Sequence, residues 1–186
     1  MEQGRVGVLG AVLSLLLLTA CAPVSAPPPS PPPAPTSQAP PACPESGVSV
    51  RTGVVSAATG LRAMTIELVN CGSSDFGVQG YPDVVVLDED EDPLPITIRQ
   101  GAGGTAKELG WDDPPAELLL RPGETAKSGL MWRNTLTDGP PAVGRYLEVA
   151  PVAGLPRQAV VDGPDQPPVL IDLGSTGKLD VRAWYR

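Results

Sequence analysis

The residues of this chain that could do chemistry by type and spacing fall in a few short stretches. The first is Asp88-Glu89-Asp90-Glu91-Asp92. Aspartates at 88, 90 and 92 have the alternate spacing with which an EF-hand loop presents its first oxygens to calcium. The rest of that loop is missing, because Pro93 replaces the glycine of the sharp bend and Arg99 stands where a bidentate glutamate belongs. The run is therefore expected to be a solvated hairpin turn, and no metal ligand is assigned. The second stretch, Ser175-Thr176-Gly177-Lys178, matches the Ser-x-x-Lys of penicillin-recognising acyl enzymes. That motif needs a helix to bring Ser and Lys to one face, whereas Gly174 and Gly177 frame a turn between two strand-like runs. A phosphate loop fails as well, since Asp172 occupies the position of its first glycine. No catalytic or cofactor-binding residue is assigned. The third is Trp111, in a polar loop over 101–115 and off any alternating strand face. It either caps the open end of the fold or is held out as a contact for an envelope protein or glycan partner.

The sequence contains no histidine, which removes the commonest general base and metal ligand. A pair of carboxylates could still run acid–base chemistry in the manner of a glycosidase. The expectation is a non-catalytic binding or interaction module. The competing reading is a carboxylate-dependent hydrolase acting on cell-wall glycan.

The three cysteines divide into an anchor and a pair. Residues 1–20 hold a short n-region with Arg5, an apolar run from Val6 to Leu18, and Leu18-Thr19-Ala20 directly before Cys21. The run is too short to span a bilayer core of about 30 Å as a helix, so it reads as a signal peptide to be removed. Small residues followed at once by cysteine are similar to the bacterial lipobox, so Cys21 is the expected lipidation site and the bilayer the expected partner. Residues 21–42 form a linker, with ten prolines and no charge from Ala22 to Ala42. Prolines favour polyproline II, and at about 3.1 Å per residue the segment can reach roughly 65 Å from the membrane. The expected location is the outer face of the plasma membrane, outside the cytoplasm. Cys43 and Cys71 are left as an even pair in an oxidising compartment, most simply a disulfide. A net charge of −8 argues against nucleic acid as a partner.

Residues 43–186 are of a size to form one domain with a true core. The sequence is organised around Asn70-Cys71-Gly72 through Gly80-Tyr81-Pro82, a strand end followed by turns. Before it, 48–57 and 61–71 read as a hairpin about Ala58-Thr59-Gly60, with Met64, Ile66 and Leu68 on the buried face. Antiparallel pairing of these runs would bring Cys43 and Cys71 to the same end. Val84 to Leu87 is an apolar quartet that reads as a central strand, and 94–98 as another. Glu117 to Leu120 ends at Arg121-Pro122-Gly123-Glu124, a type II turn with Pro and Gly at its central positions. In the strand that leaves it, Leu130 and Trp132 face the core and Arg133 faces outward, toward a surface carboxylate. Further strands fall at 146–152, 158–161, 169–173 and 179–185, and Trp184 is a core residue. About nine or ten short strands with regular turns, and no helical periodicity after residue 20, predict an all-β, immunoglobulin-like β-sandwich.

Several of these segments, in this order, carry a family resemblance: Cys43, Val69-Asn70-Cys71-Gly72, Gly80-Tyr81-Pro82, Leu120 to Glu124, Trp132-Arg133-Asn134, Asp172 to Gly177, and Trp184. The chain resembles actinobacterial secreted lipoproteins with a domain of unknown function numbered 4232, over nearly all of 43–186. Many members have a second cysteine pair that is absent here and place the second cysteine nearer Phe76. The resemblance implies an extracytoplasmic fold and supplies no reaction, cofactor or active residue.

Overall fold

In the computed structural model, residues 42–102, 110–163 and 168–186 are described. The signal peptide and linker read over 1–20 and 21–42 lie, but for Ala42, outside them. Among the described residues the chain forms twelve strands and no helix: β1 (Val48–Ala58), β2 (Leu61–Asn70), β3 (Phe76–Val78), β4 (Asp83–Leu87), β5 (Thr97–Gln100), β6 (Leu118–Leu120), β7 (Thr125–Arg133), β8 (Ala142–Gly144), β9 (Tyr146–Ala150), β10 (Gln158–Ala159), β11 (Ile171–Gly174) and β12 (Lys178–Val181). The fold is all-β and packs as a sandwich. One layer is a five-stranded sheet in the order β1-β2-β7-β12-β5, and shorter ladders, β10-β9-β4, β11-β8 and β3-β6, supply the rest.

β2 is the strand whose sequence alternates most cleanly, and it buries Met64, Ile66 and Leu68 while the residues between them stay half-exposed. β1 pairs with it antiparallel from Val48 opposite Asn70 to Ala58 opposite Leu61. Thr59 and Gly60 close the hairpin with φ of 48° and 75°, the left-handed pair that a two-residue turn needs to match strand twist. The hairpin carries Cys43 and Cys71 to one end, where they form a disulfide with Cα atoms 5.6 Å apart. β7 takes the other edge of β2, antiparallel from Leu61 opposite Arg133 to Val69 opposite Thr125. β12 follows antiparallel to β7, and β5 lies parallel to β12.

The main core lies between the layers and contains Ile66, Leu68, Leu130, Trp132, Leu147, Ile171, Leu179 and Trp184. Both core tryptophans satisfy their indole N–H. Trp132 donates to Asp172 Oδ1 at 2.9 Å and Trp184 to the carbonyl of Pro151 at 2.6 Å. Asn70 ties the hairpin end to the 121–124 turn. Its Nδ2 donates to the carbonyls of Ser74 and Leu120, both at 2.8 Å, and its Oδ1 accepts from Gly72 N–H. Its own N–H donates to the Glu124 carbonyl, and its carbonyl accepts from Gly123 N–H. Gly123 has φ 84°, as the type II turn requires. The Glu124 carboxylate accepts from Arg121 N–H at 2.9 Å. That bond, helped by Arg186, holds its pKa below the ordinary carboxylate value.

Some expected elements differ. β4 is not central: it ends its three-stranded ladder, and its other side meets the returning chain through Leu94 N–H to the Val86 carbonyl and a bridge from Leu87 to Pro93. Its apolar run reflects burial of Val84, Val86 and Leu87, not flanking strands on both sides. The strand expected at 94–98 begins three residues later, because Leu94 and Ile96 pack onto the core before β5 starts. The last strand stops at Val181, and Tyr185 bridges Lys127 one residue out of the β7–β12 register. β3 and β8, three residues each, were not expected, being too short for alternation to show.

Replacing Cys43 and Cys71 together by serine should lower unfolding stability by about 3.5 kcal/mol on the loop-entropy scale, read from urea denaturation. Intact protein under non-reducing conditions should resist alkylation at both positions, and labelling of both thiols would contradict the bond.

Candidate functional site

The outward face of β7 carries Lys127, Gly129, Met131 and Arg133 by alternation, yet Gly129 and Met131 are buried. Trp111 covers them. A Cβ at position 129 would lie 2.8 Å from its Cη2 and 2.9 Å from its Cζ2, so only glycine lets the indole lie this close to the strand. Trp111, Met131 and Ala102 form a second buried cluster, with Leu61 packed against it. Asp112 Oδ1 accepts from Ala102 N–H at 2.8 Å, which holds the tryptophan's own segment down. Trp111 is 7% exposed, so the indole is not held out for a partner. It caps this face of the sheet.

Beside that cap, a cleft of about 250 Å³ is lined by Leu61, Arg99, Met131, Trp132, Arg133, Thr176, Lys178 and Asp180. Parallel pairing sets Asp180 of β12 beside Arg99 of β5. Arg99 Nε donates to Oδ1 at 2.6 Å and Nη2 to Oδ2 at 2.8 Å, a bidentate fork that fixes both groups. Asp180 is 4% exposed and is the buried carboxylate among the described residues. The register that sets Leu179 opposite Trp132 brings Lys178, one step on, beside Arg133. The surface carboxylate expected for Arg133 is not found: the ion pairs among the described residues are Arg51–Glu67, Arg62–Asp172, Arg99–Asp180, Arg157–Asp83 and Arg186–Glu124.

The stretches that looked chemical are turns. Asp88 Oδ1 accepts from the N–H groups of Asp90 and Asp92, each at 3.0 Å, so this carboxylate serves its own hairpin while residues 89–92 are exposed. No group of carboxylates or cysteines among the described residues is placed to hold a metal ion. Ser175 Oγ accepts from Thr137 N–H at 2.8 Å, and Thr176 Oγ1 donates to the Leu173 carbonyl. Thr176 thus stabilises the turn into β12, and Ser175 ties that turn to the segment after β7. Behind it, Asp172 accepts from Trp132 Nε1 and from Asn134 Nδ2 at 3.1 Å.

The sequence model of the domain of unknown function DUF4232 matches residues 43–185. The chain belongs to this family. No curated protein and no solved structure matches it. In this DUF4232 domain the segments that carried the resemblance meet as structural partners. Asn70 joins Cys71-Gly72 to Leu120–Glu124, Trp184 N–H donates to the Gly80 carbonyl, and Asp172 joins the Trp132-Arg133-Asn134 segment. The residues lining the cleft went largely unread in sequence, because Arg99, Lys178 and Asp180 meet only through a parallel strand pair. A signal for the buried Trp111 did exist: Gly129 in mid-strand marks a close approach.

Trp111→Ala should destabilise the DUF4232 domain by about 3–5 kcal/mol, as large aromatic deletions from cores do. The check is a lower urea midpoint with an unchanged slope. A stability equal to wild type would contradict the capping role.

Proposed function

We propose that this DUF4232 protein is a lipid-anchored envelope lipoprotein that presents a non-catalytic binding domain outside the cytoplasm. The observation that carries the binding part is the cleft beside the Trp111 cap. Asp180 is the one carboxylate among the described residues that line it, and Arg99 engages both its oxygens. Paired-carboxylate hydrolysis needs one group to donate a proton and another to attack or activate water. A cleft with cations, an apolar floor and one neutralised carboxylate is suited to holding a ligand. Support for the address comes from Leu18-Thr19-Ala20-Cys21 and the uncharged Pro-rich segment after it. The Cys43–Cys71 bond accords with an oxidising compartment.

In the native host, Cys21→Ser should move the protein from the membrane fraction to the medium, or leave it unprocessed at higher mass. Fractionation and immunoblotting read both outcomes. Membrane association equal to wild type, with normal processing, would contradict the lipid anchor.

A further inference from the structure

We infer that the cleft between β7, β12 and β5 is a site for a small oxyanion, a phosphate or carboxylate carried on a compact organic body. The inference rests on reading the cleft as a binding site and adds the chemical class of its ligand. Charge is the first argument. The chain carries a net −8, yet Arg99, Arg133 and Lys178 line one cleft in which Asp180 is the carboxylate among the described residues, an excess of positive charge among those residues. A low-dielectric wall focuses such a field on an incoming anion.

Strand register supplies the second argument. Like charges directly opposite on neighbouring strands destabilise a sheet, and the β7–β12 register sets Arg133 beside Lys178. Both side chains are exposed, and neither is in an ion pair with a described carboxylate. An anion seated between them offsets the repulsion and accepts charge-assisted hydrogen bonds from both.

Arg99 is already oriented. Its Nε and Nη2 are committed to Asp180, so the guanidinium loses little freedom when Nη1 meets a ligand, and at 39% side-chain exposure it is within reach of solvent. The floor is set as firmly, since Met131 is packed under Trp111. Leu61 and Met131 make that floor apolar, which favours an anion with a carbon body over a bare ion. The volume of about 250 Å³ falls below the roughly 300–1,000 Å³ of sites for drug-sized ligands. The ligand is thus a small molecule or the charged end of a larger one.

The test is amide-resolved NMR titration of the mature protein at constant ionic strength, with inorganic phosphate, glycerol 3-phosphate, acetate and, as the neutral probe, glycerol. Saturable shifts centred on Arg99, Arg133 and Lys178 are expected with glycerol 3-phosphate, and weaker ones with inorganic phosphate. Acetate decides whether carboxylates share the site. Lys178→Gln and Arg133→Gln should each weaken binding about tenfold, the usual scale for one charge-assisted hydrogen bond. Lys127→Gln, on the same strand face but outside the cleft, should leave it unchanged. Equal loss in Lys127→Gln, or shifts reproduced by chloride, would overturn the site. A saturable response to glycerol with none to any oxyanion would overturn the ligand class while leaving a binding cleft. Silence to every probe would overturn both.

Discussion

The buried side chain of Asn70 is the constraint on which this domain turns. An amide in an apolar interior destabilises the fold unless its donors and acceptor find partners, by about 1–3 kcal/mol for each group left unmet. Here both Nδ2 donations go to backbone carbonyls from different segments, Oδ1 takes Gly72 N–H, and the residue's own peptide groups close on Gly123 and Glu124. Two stretches distant in sequence are thereby fixed at one corner: the end of β2 with the loop that follows it, and the turn from β6 to β7. The disulfide sits beside this corner and limits the unfolded chain, whereas Asn70 specifies the folded one. β7, the strand that begins there, carries both the core tryptophan and the outward face that becomes the cleft.

A second polar centre performs the same service at the other end of the sheet. Asp172 takes hydrogen bonds from Trp132 and Asn134, and Arg62 lies 3.7 Å away. Trp132 is therefore held from one side by packing and from the other by a carboxylate, which fixes β7, the strand whose opposite face carries the cleft. In this account the residues that make the family recognisable build a scaffold, and the ligand-facing side chains stand on it.

How much of this was legible in sequence follows from the range of the interactions involved. The β1–β2 hairpin, its staple, the 121–124 turn and the inward faces of β2 and β7 depend on neighbours in the chain or on strict alternation, and all could be read. β3 and β8 are too short for a period to register. β4 was misplaced because burial by loops and burial by strands leave the same apolar run. Trp111 misled through its flanks: Gly110, Asp112 and Asp113 are polar loop residues, but they fold the indole onto Gly129 of a distant strand. The cleft was hidden for a related reason. Arg99 and Asp180 come together only where β5 joins β12 in parallel, and a parallel pairing leaves no local mark. The stretches that stood out use their oxygens to hold backbone: Asp88 and Thr176 on their own turns, and Ser175 on the loop at 137–138.

The central claim, that the Asn70 corner specifies the fold, is tested most directly by native-state hydrogen exchange at Gly123. This residue is exposed in a turn, where an amide would ordinarily exchange quickly, but its N–H donates to the Asn70 carbonyl at 2.7 Å. If the corner holds the fold, the Gly123 amide should exchange only with global unfolding, alongside Ile66 and Leu68 of β2. Exchange of Gly123 as fast as that of Glu89, in the exposed acidic turn, would contradict it.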